Sequence, residues 1–133
     1  MDKSLVWYLT GPISGIPRGN IPLFESATAV LRASGYKIIS PIEADGPEIH
    51  QDYMIGKVHD HRWGEFLARD VKIIADDVDG LILLPGWQGS RGARLEVFTG
   101  ILCQKAFGLY DSSIEAVLET DIIHMRLWLR STM

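Results

Sequence analysis

Asp79-Gly80-Leu81-Ile82-Leu83-Leu84-Pro85-Gly86-Trp87-Gln88-Gly89-Ser90-Arg91-Gly92-Ala93-Arg94-Leu95-Glu96 holds, in one passage, the pieces from which an α/β sheet is assembled. Leu81 to Leu84 form an apolar run short enough, and bounded sharply enough, to be a buried strand. Pro85, Gly86 and Gly89 break the chain into a loop. Ser90 is a favoured N-cap, and Ala93, Leu95, Val97, Phe98, Ile101 and Leu102 then recur at helical spacing. In an α/β sheet, a strand followed by a glycine-rich loop and a helix N-terminus is where ligands bind. Free backbone N–H groups and the positive end of the helix dipole face an anion there.

Glu96 is the unusual residue of that helix. Gly92, Glu96 and Gly100 stand four residues apart and share one stripe. Each helical glycine forfeits roughly 1 kcal/mol of propensity, so the stripe should serve the close approach of a second backbone or of a ligand. A solvent-facing Glu96 between glycines packed on the sheet is the plainer alternative.

The composition sets outer bounds. A chain of 133 residues with 47% hydrophobic and 23% charged residues reads as one soluble globular domain over residues 1–133. A net charge of −4 gives no reason to expect a nucleic-acid polymer or an anionic membrane as partner. The one cysteine, Cys103, excludes an internal disulfide framework, suits a reducing compartment and is expected to be a buried thiol inside the apolar helix. No apolar stretch reaches spanning length and Met1-Asp-Lys-Ser does not begin a signal peptide, so the expected location is the cytoplasm.

Around the central passage the other elements alternate. Leu5-Val-Trp-Tyr-Leu9 reads as a first strand, broken by Thr10-Gly11-Pro12. Pro22 suits the start of a helix that continues through Phe24, Ala27, Val30 and Leu31 until Gly35. Tyr36 to Ser40 reads as a second strand ended by Pro41. Residues 41 to 61 lack periodicity and are expected to be a long, lid-like loop. Phe66, Leu67, Val71, Ile74 and Ala75 predict a helix from about Arg62 to Asp77. Phe107 to Tyr110 reads as a minor strand, and Ser112 or Ser113 as the cap of a last helix through Ile114, Val117, Leu118, Ile122, Met125 and Leu129. The expected architecture is a three-layer Rossmann-like (flavodoxin-like) α/β sandwich with a mostly parallel sheet of four or five strands. Right-handed crossovers would bring the loops after Leu9, Ser40 and Leu84 to one crevice.

Tyr8-Leu-Thr-Gly11-Pro-Ile-Ser14-Gly15, Ser40-Pro41, Asp70 and Leu84-Pro-Gly-Trp-Gln-Gly-Ser90-Arg-Gly92-Ala-Arg-Leu-Glu96 together resemble the nucleoside 2-deoxyribosyltransferase-like superfamily. Within it the chain is most similar to a small phage and bacterial branch of uncharacterised proteins with a Leu-Pro-Gly-Trp motif. The resemblance spans roughly residues 5 to 110 in the motif order of one intact domain. It implies N-glycosidic chemistry on a nucleoside or nucleotide without metal or organic cofactor, in a homodimer or higher homo-oligomer. Glu96 falls at the family's nucleophile, which attacks the anomeric carbon and displaces the base. Tyr8 matches the tyrosine that orients that glutamate or the sugar. Asp70 matches an aspartate near the sugar hydroxyl and leaving base, its structural alternative being a solvated helix charge. An adjacent carboxylate suits a transition state of oxocarbenium character, which it stabilises and can trap covalently.

Ser90 separates two reactions within the resemblance. The family's transferases carry an aspartate six residues before the glutamate, where it accepts a hydrogen bond from the nucleoside 5′-hydroxyl; its 5′-monophosphate hydrolases carry a serine. A carboxylate would repel a phosphate, whereas a hydroxyl can donate to it. Gly92 and Ala93 N–H groups, Arg91, Arg94, and Ser14 or Arg18 of the first loop, beginning at Gly11, are further expected phosphate contacts. Trp87, beside the loop glycines, is a candidate to stack on a base; Trp63, which opens the helix after the lid, could also reach the pocket, with a core position as its plainer reading. The last helix, with Leu127, Trp128 and Leu129, offers apolar surface for a second subunit. His59-Asp60-His61 lacks metal-site spacing, and neither a three-glycine dinucleotide motif nor a Gly-Lys-Ser/Thr phosphate loop is present. Three classes stay open: a hydrolase releasing the base of a nucleoside 5′-monophosphate, a transferase moving 2-deoxyribose between bases, and a non-catalytic nucleotide-binding or sensing module. An intact Glu96 with Tyr8 argues against the third.

Overall fold

β1 (Val6–Thr10) and β3 (Gly80–Leu83) lie side by side in the middle of a five-stranded sheet, in a computed structural model that describes residues 1–57 and 62–132. β1 pairs in parallel with β2 (Lys37–Ile39) on its other side, and β3 with β4 (Ala106–Asp111). β5 (Ala116–Thr120) closes the sheet antiparallel to β4, giving the order β2-β1-β3-β4-β5. Strand alternation sorts the core into two layers. Trp7, Leu9, Ile82 and Leu84 pack on one face against α1 (Ile21–Ala33), α2 (Pro41–Asp45) and α3 (Pro47–Met54). Tyr8, Leu81, Leu83 and Phe107 pack on the other against α4 (Trp63–Asp76), α5 (Arg91–Leu102) and α6 (Ile122–Thr132). This is the expected three-layer, mostly parallel α/β sandwich.

The chain leaves β1 toward β2 and leaves β3 toward β4, so the loops after these neighbouring strands diverge and open a crevice at their carboxyl ends. A Cβ on Gly11 would stand 2.8 Å from Leu84 Cβ, so a side chain there would force the two loops apart. The chain then runs through Trp87–Gly89, a 3-10 turn, to Ser90, whose Oγ accepts a hydrogen bond from Ala93 N–H at 3.2 Å and starts α5.

Three segments differ from the sequence reading. The loop expected over residues 41–61 is two short helices over its described part. Ser40 Oγ accepts from Ile42 N–H at 3.3 Å to cap α2, Pro47 stands in the first turn of α3, and Ile42, Ile49 and Tyr53 join the α1 core. A five-residue helix is too short to show a period, which is why proline and glycine dominated the reading. His59-Asp60-His61 lies outside the described residues.

The Phe107–Tyr110 segment is no minor strand: β4 has six residues and sits between two partners. The last helix starts later than expected, because Ile114, Val117 and Leu118 belong to a hairpin. Asp111 Oδ1 accepts from Ser113 N–H at 2.9 Å and Ser113 Oγ at 2.6 Å, so the serine closes a turn; Glu115 follows at φ 48°, and Leu109 pairs with Leu118. Asp121, not a serine, caps α6, accepting from His124 N–H at 2.9 Å. Cys103 is likewise exposed: α5 ends at Leu102, and Cys103 is its C-cap rather than a mid-helix core residue. In α6 Leu129 is buried and Trp128 packs on Trp87, leaving Leu127 and Ile123 as the exposed apolar side chains.

Candidate active site

Tyr8 is fully buried on the α5 side of β1, and its hydroxyl donates to Glu96 Oε2 at 3.0 Å. Glu96 is 6% exposed, which sets aside its solvent-facing reading. The two glycines of its stripe have different uses. A Cβ on Gly100 would lie 2.8 Å from Leu81 Cδ1 and 3.0 Å from Phe107 Cζ, so this glycine lets α5 settle on the sheet. At Gly92 the nearest atoms would be Trp63 Nε1 at 3.9 Å and Ser90 Oγ at 4.0 Å, so the bare backbone there borders a cavity.

Asp70, 7% exposed, projects from α4 toward the same place, which excludes its reading as a solvated charge. Arg69 donates to Asp70 Oδ1 through Nε at 2.9 Å and Nη2 at 2.7 Å, and to Asp45 Oδ1 through Nη1 at 2.7 Å. These contacts and burial set the protonation of the site. Burial holds the Glu96 carboxyl well above the usual glutamate range, with the Asp70 charge adding to it and the Tyr8 hydrogen bond and Arg69 opposing it. Burial raises Asp70 as well, against the Arg69 charge and hydrogen bonds. Burial, then the Glu96 and Asp70 charges, push the Tyr8 phenol well above its usual value, so it remains a donor.

Around these groups is a cavity of about 350 Å³, within the roughly 300–1,000 Å³ of small-molecule sites. Its lining has three chemistries. Ser90, Arg91, Gly92 and Ala93 bring the N-terminus of α5, joined by Gly11 and Ser14 of the first loop; Glu96 and Asp70 bring carboxyls; Trp63, Phe66 and Tyr53 bring aromatic surface. The Ala93 N–H is already taken by Ser90 Oγ, leaving the Arg91 and Gly92 N–H groups without intrahelical partners. The Ser90 hydroxyl keeps its own proton available to a ligand.

The structure therefore brings together Glu96, Tyr8, Asp70, Gly11, Ser14, Ser90, Arg91, Gly92 and Ala93, with Tyr8 beneath the lining rather than in it. It does not bring in Arg18, which stands exposed at φ 56° in the turn Pro17–Asn20, nor Arg94. Trp87 is 2% exposed, 6.2 Å from the Trp128 ring and off the lining, so it packs in the core rather than at a loop tip. Trp63 takes the pocket reading rather than the core one: it is half-buried on the lining, with the Arg91 guanidinium 5.3 Å from its ring. The sequence reading missed Arg69 and Asp45. Arg69 could have been flagged by its place beside Asp70; Asp45 sat in the supposed loop. Among the described residues no three His, Cys, Asp or Glu side chains are grouped to hold a metal ion, and no helix is long and apolar enough to cross a membrane.

No curated protein matches the chain. A family model matches residues 5–106, a span that runs from the start of β1 to the first residue of β4 and carries Tyr8, Asp70, Ser90 and Glu96. The chain belongs to the family described as a domain of unknown function, DUF4406.

Proposed function

We propose that this chain is an N-glycosidase that releases the base from a (deoxy)nucleoside 5′-monophosphate, with Glu96 as nucleophile. The observation that carries the reading is the buried Tyr8–Glu96 hydrogen bond of 3.0 Å beside a cavity shared with the Ser90-capped helix end. In the first step a Glu96 carboxylate oxygen bonds to C1′, the C1′–N bond breaks, and its electron pair leaves with the base, which takes a proton from solvent. In the second step water bonds to C1′, Asp70 takes its proton, and Glu96 departs as carboxylate; Asp70 then returns the proton to solvent. Tyr8 holds the carboxylate in line throughout. The α5 N-terminus, with Ser90 and Arg91, receives the 5′-phosphate, and Trp63 or Phe66 offers an aromatic face to the base.

The resemblance to the nucleoside 2-deoxyribosyltransferase-like superfamily supports this reading and implies a homodimer, for which Ile123 (68% exposed) and Leu127 (57%), four residues apart on α6, would supply an apolar pair. Sedimentation velocity that finds only monomer removes the dimer. The reaction is tested by incubating the protein with nucleosides and their 5′-monophosphates, with and without an acceptor base, and separating products by chromatography. Free base from monophosphates far above that from nucleosides is expected. Base exchange on unphosphorylated deoxynucleosides with no gain from phosphate would make it a transferase; no product from any of them would make it a binding module.

A further inference from the structure

Successive side chains on a helix point about 100° apart and do not ordinarily meet. Arg69 and Asp70 nevertheless share two hydrogen bonds, both to the one oxygen Oδ1. The guanidinium reaches that position because it is held on its other sides. Nη1 donates to Asp45 Oδ1 at 2.7 Å, Nη2 lies 3.5 Å from the Pro41 carbonyl oxygen, and the Phe66 ring centre is 5.6 Å from Cζ. Both acidic partners are sequestered, with side chains 7% exposed for Asp45 and 10% for Asp70. One fork thus ties α2 to α4 in the cavity wall.

We propose that Arg69, anchored by Asp45, is a positioning residue for the carboxyl pair: it grips Asp70 by one oxygen and favours its carboxylate form, so that Asp70 gives up its proton before Glu96 does and is ready to take one from water. The inference rests on Glu96 being the reacting group, and the role it gives Arg69 is exercised through Asp70. Among the described residues, the charged and titratable groups facing the pair come from five elements: Arg69 from α4, Asp45 from α2, Tyr53 from α3, Tyr8 from β1 and Arg91 from α5. Arg69 and Tyr8 both oppose the effect of burial on the two carboxyls, Arg69 by its charge and, at Asp70, by its hydrogen bonds, Tyr8 by hydrogen bonding alone. Two carboxyls in one site titrate in two steps, and a cation gripping one of them decides the order.

The test is a carbon-13 NMR titration of the full chain labelled at its Asp and Glu carboxyls, with signals assigned by loss in Asp70→Asn and Glu96→Gln. In the wild type Asp70 is expected to ionise at lower pH than Glu96; the reverse order overturns the proposal without recourse to any Arg69 variant. In Arg69→Gln, if circular dichroism shows it folded, the Glu96 midpoint is expected to rise by about one pH unit or more, the scale of losing an adjacent charge. A midpoint within about 0.3 unit of wild type would leave Arg69 a packing residue only. Arg69→Lys keeps the charge but not the fork, so its Glu96 midpoint should stay near the wild-type value while kcat for base release falls about tenfold with little change in KM. An unchanged kcat there contradicts the positioning role. The titrations need no turnover, so a protein inactive on every nucleotide would remove the proposed reaction while leaving the Arg69 result to be read on its own.

Discussion

Glu96→Gln separates the chemistry of the site from its stability. The substitution is nearly isosteric, and the amide oxygen can still accept the Tyr8 hydroxyl proton now given to Oε2. It removes the nucleophile and the negative charge that meets a cation-like transition state, so turnover should fall on the order of 10³-fold or more. Stability should move the other way. The folded-state pKa of Glu96 is raised, first by burial and then by Asp70, so the folded form binds its proton more tightly than the unfolded chain does. That contribution favours folding at pH below the ordinary glutamate range and is lost as pH rises through the raised folded value. Each tenfold weakening of the acid corresponds to about 1.4 kcal/mol, and each kcal/mol to roughly 3–5 °C in Tm for a chain of this length. At neutral pH the glutamine variant, which has no charge to desolvate, should melt several degrees above wild type; at pH 4 the gap should close. Thermal unfolding of both proteins from pH 4 to 8, with chromatographic assay of base release, measures both effects. A variant that melts at or below wild type at every pH would refute the desolvated-carboxyl argument, and turnover within a few-fold of wild type would refute the nucleophile.

The other perturbations act on single parts of the site. Ser90→Asp keeps an N-cap of equal quality, so Tm should hardly change, but it sets a carboxylate against the phosphate and should lower kcat/KM for 5′-monophosphates by on the order of 10²-fold; an unaltered preference for monophosphates would make Ser90 only a cap. Tyr8→Phe deletes the hydrogen bond that lowers the Glu96 pKa, so the acid limb of the rate profile should move to still higher pH and kcat should fall by about 10–10²-fold. An unchanged profile would reduce Tyr8 to packing. Gly100→Ala gains helix propensity but drives a methyl to 2.8 Å from Leu81, which is fully buried and has nowhere to retreat. A net destabilisation of about 1 kcal/mol is expected by denaturant titration, and a more stable variant would contradict the tight α5–sheet contact.

The sequence was legible where one local pattern had one physical solution. Leu81 to Leu84 read as a buried strand because the run is short and sharply bounded, Ser90 as the start of what followed, and the stripe through Glu96 as the close approach of a backbone or a ligand. It was misread where two solutions fit. Ile114, Val117 and Leu118 satisfy helical spacing, yet the Asp111–Ser113 turn and the open edge of β4 make a hairpin of them. Trp87 follows two loop residues and looks solvent-exposed in the sequence, and only α6, reaching back with Trp128, buries it. Arg69 was illegible for a related reason: its role depends on Asp45, 24 residues earlier, and no local period records such a contact.

The charges of the cavity also bear on which substrate class the proposed reaction would take. At one set of lining residues stand Ser90, the free N–H groups of Arg91 and Gly92, the positive helix end and the Arg91 guanidinium, all receptive to an anion. At another stand Glu96 and Asp70, a pair that repels an anion and welcomes a developing cation. Ser90 and Glu96 are six residues apart, about 9 Å along the helix axis, and helical side chains lean toward the N-terminus, which shortens the gap between the serine and the carboxyl. A ligand that satisfies both ends must carry a fixed negative charge within a few ångströms of an atom that turns positive during reaction. A nucleoside 5′-monophosphate has that polarity, with its phosphate at C5′ and oxocarbenium character arising at C1′. A nucleoside without phosphate fills only the second half, and a sugar phosphate without a base has no bond at C1′ whose cleavage the carboxyls would assist.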